Sequence, residues 1–269
     1  MTNVVIGAAS GMGAAVARAL APRGRMIVAD RNVDDLKEVA EQIGGDVETA
    51  GCDITDSRQV DDLVARIGEL DAIVLAAGIS GRMGSGRRIF EVNLIGTARV
   101  LAAVEPLLRP GAVGVCFASI SAHRVPQGPG LESVLDDPLS DRFFEEFEAL
   151  GIDPDVSQFA YPVSKYAIVR MARRLAPSWG VRGARILSVS PGINDTPMNR
   201  LDEEHNPIMA EFIKNSPLGR RGRTDEVANV VEFLTSTGAS FMTGSDVLVD
   251  GGMVATLPDD TTGGRGQRA

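Results

Sequence analysis

Tyr161-Pro162-Val163-Ser164-Lys165 sets a phenol and an ammonium four residues apart. On a helix, residues i and i+4 share a face about one turn apart. Pro162 fits the first helical turn, where its missing N–H costs nothing. The pattern therefore predicts a helix over 162–176 with Tyr161 at its exposed mouth and Lys165 behind it. A free tyrosine titrates near ~10, so about one in a thousand is ionised at pH 7. Lowering that value by roughly three units takes about 4 kcal/mol. An ammonium at about 4 Å supplies Coulomb energy of that order at an effective dielectric near ~20. A phenol so tuned can give a proton to a carbonyl or take one from an alcohol while a hydride moves. Alone, the pair reads equally as an amphipathic tyrosine and a solvated lysine.

Two further side chains give it company. Ser119 ends an apolar run over 113–118, where its hydroxyl could orient a substrate oxygen. Asn93 lies in a helical pattern, where its amide could anchor a water leading to Lys165. Each has a bland reading, a cap for Ser119 and a solvent-facing amide for Asn93. With Tyr161 and Lys165 they form a proton-handling set.

A hydride needs a carrier. Gly7-Ala8-Ala9-Ser10-Gly11-Met12-Gly13 joins a β-branched run to a helical one. Glycines there let the backbone turn and approach a pyrophosphate, which the helix N-terminus attracts through free N–H groups. A tight turn without a ligand would use the same residues. Asp30 closes the next apolar run, where a carboxylate can bind the ribose hydroxyls and repel a 2′-phosphate. NAD is the expected cofactor, and Arg31 keeps NADP open through pairing with a phosphate. A loop and an acid so arranged also suit a methyltransferase.

The elements that hold these residues alternate. Short β-branched runs over 4–6, 26–29, 73–77, 113–118, 186–190 and 247–249 read as buried strands, with 46–50 a weaker seventh. Helical patterns lie over 12–21, 34–43, 56–67, 89–108, 162–176 and 225–234. That order predicts an α/β fold: a Rossmann-type doubly wound parallel sheet of about seven strands with right-handed crossovers. Residues 1–255 form one catalytic domain on this reading, interrupted by a helical insertion over 122–160 and a substrate lid over 192–216. Residues 256–269 form a disordered tail.

Composition excludes other classes. The 269 residues carry 27 basic against 36 acidic side chains, a net −9, which disfavours nucleic acid or an anionic membrane as partner. Cys52 and Cys116 lie in apolar stretches, so a reducing cytoplasm is the expected location. The apolar run over 72–78 is too short to span a bilayer. His123 and His205 have no ligand partner at metal spacing, so no metal is expected and both read as incidental.

On these residues the chain resembles the short-chain dehydrogenase/reductase family from residue 1 to about 255. The resemblance rests on Gly7, Gly11 and Gly13, on Asn93 and Ser119, and on Tyr161 with Lys165. It implies that Asp53, with Ile54 beside it, contacts the adenine, and that Ala77 and Gly78 line the cofactor site. Pro191-Gly192-Ile193 would form the nicotinamide-side turn, Ile193 bonding the carboxamide through its backbone and Thr196 offering its hydroxyl to the cofactor. Ile6 stands where the family usually has threonine. Leu75-Ala76-Ala77-Gly78 replaces Asn-Asn-Ala-Gly, which removes a side-chain bond under the cofactor loop. The resemblance implies oxidation of an alcohol or reduction of a ketone, or, as an alternative, a non-catalytic NAD(P) sensor. The long stretch before Tyr161 resembles the bacterial 3α-hydroxysteroid dehydrogenase/carbonyl reductase subgroup, implying bulky cyclic substrates. Within it, Asp137, Pro138 and Gly151 bracket one expected helix whose stripe of Leu139, Phe143, Phe147 and Leu150 needs a cover. Family members commonly pair through helices beside this insertion, so a homodimer or homotetramer is expected.

Overall fold

Val, Ile and Ala crowd the short runs because the central strands are buried on both faces. Alternate side chains then feed two separate cores. The computed structural model describes residues 2–125, 128–206 and 208–256. Its strands are β1 (Thr2–Ile6), β2 (Arg25–Asp30), β3 (Val47–Gly51), β4 (Leu70–Leu75), β5 (Leu108–Phe117), β6 (Arg185–Pro191) and β7 (Asp246–Val249). They form one sheet in the order β3-β2-β1-β4-β5-β6-β7, and each neighbouring pair runs parallel. Val5, Val28, Val115, Leu187 and Val189 face one core. Val4, Ile6, Ile27, Ile73, Cys116 and Ile186 face the other. The expected doubly wound sheet is therefore present, its weak seventh strand included.

The helices are α1 (Gly11–Leu20), α2 (Val33–Ile43), α3 (Ser57–Val64), α4 (Gly86–Phe90), α5 (Thr97–Val104), α6 (Pro129–Leu135), α7 (Phe143–Ala149), α8 (Ser157–Val181), α9 (Pro197–Glu204), α10 (Ile208–Asn215) and α11 (Thr224–Leu234). Among the described residues no helix is long and apolar enough to cross a membrane. Three differences from the sequence reading matter. The helical run over 89–108 is broken by a π-helical turn, Glu91–Gly96, which carries Asn93; such turns recur at functional sites. Helix α8 begins at Ser157, so Pro162 lies in the second turn and Tyr161 is not at the mouth. The cause is the segment ahead of it: Gly86 N donates to Asp155 O at 2.9 Å, and a Cβ on Gly86 would lie 2.2 Å from Pro154 O. That lock starts the helix early.

The third difference is in the insertion, which holds two short helices rather than one running from 137. Arg170 on α8 bonds the Asp136 carboxylate at 2.8 and 3.0 Å, and Arg174 bonds its carbonyl. These tertiary contacts pull the chain into a turn where local capping predicted a helix start. The aromatic half of the stripe is covered by this chain's own body. Phe143 and Phe147 are buried, with ring centroids 5.7 and 5.0 Å from Phe90, and Phe147 also meets Phe159 at 6.2 Å. Leu139 and Leu150 stay exposed. The tail, from residue 257 on, lies outside the described residues.

Candidate active site

In a doubly wound sheet the strand order reverses at one point, and the crevice outside the strand ends there accepts ligands. Here that point lies between β1 and β4. A cleft of about 430 Å3 opens at it, lined by Gly7, Ser10, Gly11, Met12, Gly13, Asp30, Arg31, Asp53, Ile54, Ala77, Gly78 and Thr196 among others. The turn from β1 to α1 admits no side chain at two places. Gly7 has φ +86°, and a Cβ on it would lie 2.3 Å from Ala77 N. A Cβ on Gly13 would lie 2.0 Å from Gly7 O. Ser10 precedes α1 without a side-chain cap bond, and the first turn carries no acid. The helix therefore presents free N–H groups and its positive end to the cleft. This cradle fits a dinucleotide pyrophosphate.

The acids are anchored as well. Asp30 accepts from Ala9 N at 3.1 Å and from Asn32 N at 3.0 Å, which fixes its carboxylate at the loop. Asp53 Oδ1 accepts from Thr55 N and Thr55 Oγ1 at 2.9 and 2.7 Å, and Arg88 reaches Oδ2 at 3.4 Å. Burial would raise the Asp53 carboxyl, but the Thr55 bonds and the Arg88 charge together hold it below its usual range. Where Ala76 replaces asparagine, its methyl lies 3.3 Å from the Cβ position of Gly13, so close packing stands in for the missing side-chain bond.

Gly78 marks the end of the cleft. A Cβ there would lie 3.2 Å from Asn93 Oδ1 and 3.3 Å from Lys165 Nζ. Asn93 is buried, accepting from Ile79 N at 2.8 Å and donating to Ile79 O at 3.0 Å. Its amide also reaches Ser164 Oγ at 3.3 Å, and Ser164 donates to Tyr161 O at 2.8 Å. The amide thus clamps the loop after β4 to the Tyr161 turn. Lys165 Nζ donates to Phe117 O at 2.9 Å. Burial brings this lysine down to about 8. Burial pushes the Tyr161 phenol up, the nearby Ser119 side chain pulls it down by less, and the Asp202 carboxylate adds to the rise. The phenol therefore lies above its ordinary value, the reverse of what one nearby ammonium predicts. Lys165, desolvated and turned to Phe117 O, does not offset the loss of water around a phenolate.

Gly192 and Ile193 are not drawn into the cleft. They line a cavity of about 100 Å3 with Asp250, and the Ile193 carbonyl accepts from Gly222 N at 3.0 Å. Pro191 is buried as the last residue of β6. Thr196 sits at the cleft with its Cγ2 3.5 Å from the Cβ position of Gly11, while its Oγ1 caps α9 at Asn199 N. Sequence reading missed Arg88, Thr55 and Ser164, and it missed Asp202, which accepts from Ser80 Oγ at 2.8 Å. Arg88 and Ser164 stand next to named motifs. Asp202 carries no local signal, since its partner lies 122 positions away.

Comparison with known proteins agrees with this fold. Residues 2–126 match the family described as short chain dehydrogenase. Residues 152–254 match the one described as Enoyl-(Acyl carrier protein) reductase. The middle of the insertion, residues 127–151, falls between the two. A short-chain dehydrogenase/reductase of Alternaria brassicicola is 31% identical, over 97% of this chain and 98% of that protein. The 3-alpha-hydroxysteroid dehydrogenase/carbonyl reductase of Comamonas testosteroni is 29% identical, over 94% and 96%. A solved 3-alpha-hydroxysteroid dehydrogenase from Pseudomonas sp. B-0831, complexed with NADH, superposes with a TM-score of 0.78 at 29% identity, covering 97% of this chain and 100% of that one.

Proposed function

This chain belongs to the short-chain dehydrogenase/reductase family of oxidoreductases, and on that premise we propose that it interconverts a secondary alcohol and a ketone with NAD. Tyr161 is the proton-transfer residue. One observation carries the reading: Lys165 Nζ and Asn93 Oδ1 stand against Gly78 at the end of the glycine-loop cleft, with Tyr161 one turn before Lys165 on the same helix and the Ser119 side chain near enough to act on its phenol. A bound nicotinamide supplies or accepts the hydride. Ser119 orients the substrate oxygen, Tyr161 exchanges a proton with it, and Lys165 stabilises the phenolate when the proton is gone. Asn93 holds the Ile79 loop and the Tyr161 turn in register through Ser164.

Asp30 supports NAD over NADP, because its anchored carboxylate would meet a 2′-phosphate with like charge. Arg88 is held by Asp53, Thr55 and Glu91, which leaves the exposed Arg31 as the cation beside that position. A bulky cyclic carbonyl compound is the proposed substrate, motivated by the similarity to the Comamonas testosteroni enzyme. Residues 192–216 are the proposed lid and the assembly is a homodimer or homotetramer, which light scattering of the purified protein distinguishes. The test is a panel of cyclohexanone, 9,10-phenanthrenequinone and a 3-ketosteroid with NADH and NADPH, following cofactor absorbance. Faster turnover of the two larger ketones with NADH is expected. Binding of NADH without turnover of any ketone or alcohol would instead support a sensor.

A further inference from the structure

Asp246 opens β7 with its side chain only 5% exposed, outside the glycine-loop cleft. A carboxylate so enclosed needs donors. Ser188 Oγ reaches Oδ1 at 2.6 Å, while Ser190 Oγ and His123 Nε2 reach Oδ2 at 2.8 and 2.9 Å. Burial alone would raise this carboxyl, yet the three bonds hold it below the usual range. Ionised, it only accepts, so Nε2 of His123 carries the hydrogen. Ser188 and Ser190 are fully buried on β6, and Ser190 lies two residues before Gly192.

His123 belongs to the 3-10 turn Ile120–Arg124 that Ser119 caps. Within that turn Ser121 N donates to Ser119 Oγ at 3.2 Å and Ala122 N to Ser119 O at 3.0 Å. Before the turn, Ala118 N is fixed to Val189 O at 2.8 Å. Beyond it the chain leaves for the insertion. We propose that His123 and Asp246 are positioning residues, a tether that fixes the far end of the Ser119 turn to β6 and β7 and so holds the Ser119 hydroxyl at the substrate oxygen. The inference rests on the Ser119 role proposed above. None of His123, Ser188, Ser190 and Asp246 lines the glycine-loop cleft, so losing the tether should lower kcat and leave cofactor affinity alone.

The test is a double-mutant cycle of His123→Leu and Ser119→Ala, assayed with NADH and the ketone of the panel above that is reduced fastest. His123→Leu should lower kcat about tenfold, as expected for a small misplacement of a catalytic group, with KM for NADH unchanged. His123→Gln, which restores an N–H at the Nε2 position, should recover most of that loss. Combined with Ser119→Ala, His123→Leu should cost nothing further, because coupled residues are not additive. Asp246→Asn takes the place of His123→Leu in the same cycle if the leucine variant does not fold. Full additivity on top of an impaired Ser119→Ala, or a glutamine variant no better than leucine, overturns the tether alone. A Ser119→Ala enzyme with unchanged kcat overturns the Ser119 assignment and the tether with it.

Discussion

On the proposed mechanism, Tyr161 must hold its proton to reduce a ketone and be without it to oxidise an alcohol. Burial and the Asp202 carboxylate both favour the protonated phenol. Ketone reduction should therefore persist through neutral pH and fall only as pH rises through the raised phenol value, while alcohol oxidation climbs over that same interval. Asp202→Asn removes a negative charge, lowers the phenol's value, and should move the half-maximal pH of kcat/KM for alcohol oxidation toward neutrality. A pH–rate profile unmoved or displaced upward would show that Asp202 does not act on Tyr161. Tyr161→Phe keeps the ring and the packing but loses the proton, so kcat should fall by about 10²–10⁴. NADH affinity, measured by fluorescence titration, should stay within a few-fold, and a phenylalanine variant with most of its kcat would remove Tyr161 from the chemistry. Asp30→Ser should raise KM for NAD and narrow its advantage over NADP; an unaltered ratio of kcat/KM values would free Asp30 of that role.

The elements around the cleft are pressed together at glycines. Gly13→Ala would set a methyl 2.0 Å from Gly7 O, so α1 must move off β1. Overpacking of this kind costs about 1–3 kcal/mol, and the lost alignment of the N–H groups should lower NADH affinity roughly tenfold or more. Gly180, near the end of α8, is the control. A Cβ there meets nothing within 4 Å, and replacing a helical glycine with alanine gains ~0.5–1 kcal/mol. Gly180→Ala should leave affinity untouched and raise the melting midpoint, so equal loss in both variants would trace the effect to global destabilisation. The loop glycines Gly7 and Gly13 were legible in the sequence, as were the strands, because turn geometry and β-branched runs are local signals. The π-helical turn under Asn93, the early start of α8 and the two-helix form of the insertion were not. Each follows from a contact with a distant segment: Asn93 with Ile79 and Ser164, Gly86 with Asp155, Arg170 with Asp136.

At the scale of the whole molecule, the insertion is part of the core it interrupts. Phe147 is fully buried and its ring contacts Phe90 at the end of α4, Phe143 on its own helix and Phe159 at the start of α8. Helix α4 leads into the Asn93 turn, and Phe159 stands two residues before Tyr161. One aromatic cluster therefore joins the insertion to two of the three segments that carry the proposed proton-handling set, the third being the end of β5 with Ser119. Beside it, Arg170 pairs with Glu132 and Asp136 at 3.0 and 2.8 Å, and Tyr166 donates to Glu132 at 2.9 Å, so α6 is tied to α8 as well. The amphipathic stripe was visible in the sequence, but its cover was not, because Phe90 and Phe159 belong to other patterns. Emptying the centre of the cluster with Phe147→Ala should cost about 3–5 kcal/mol, the usual range for a buried phenylalanine. Urea unfolding followed by circular dichroism measures this. Leu150→Ala, on an exposed side chain of the same segment, should change stability by about 0.5 kcal/mol or less. If the two variants unfold at the same urea concentration, the insertion is a loop laid over a core that stands without it. A large loss confined to Phe147→Ala, with kcat reduced in the fraction still folded, is the outcome expected if the insertion helps to hold α4 and α8 at the active site.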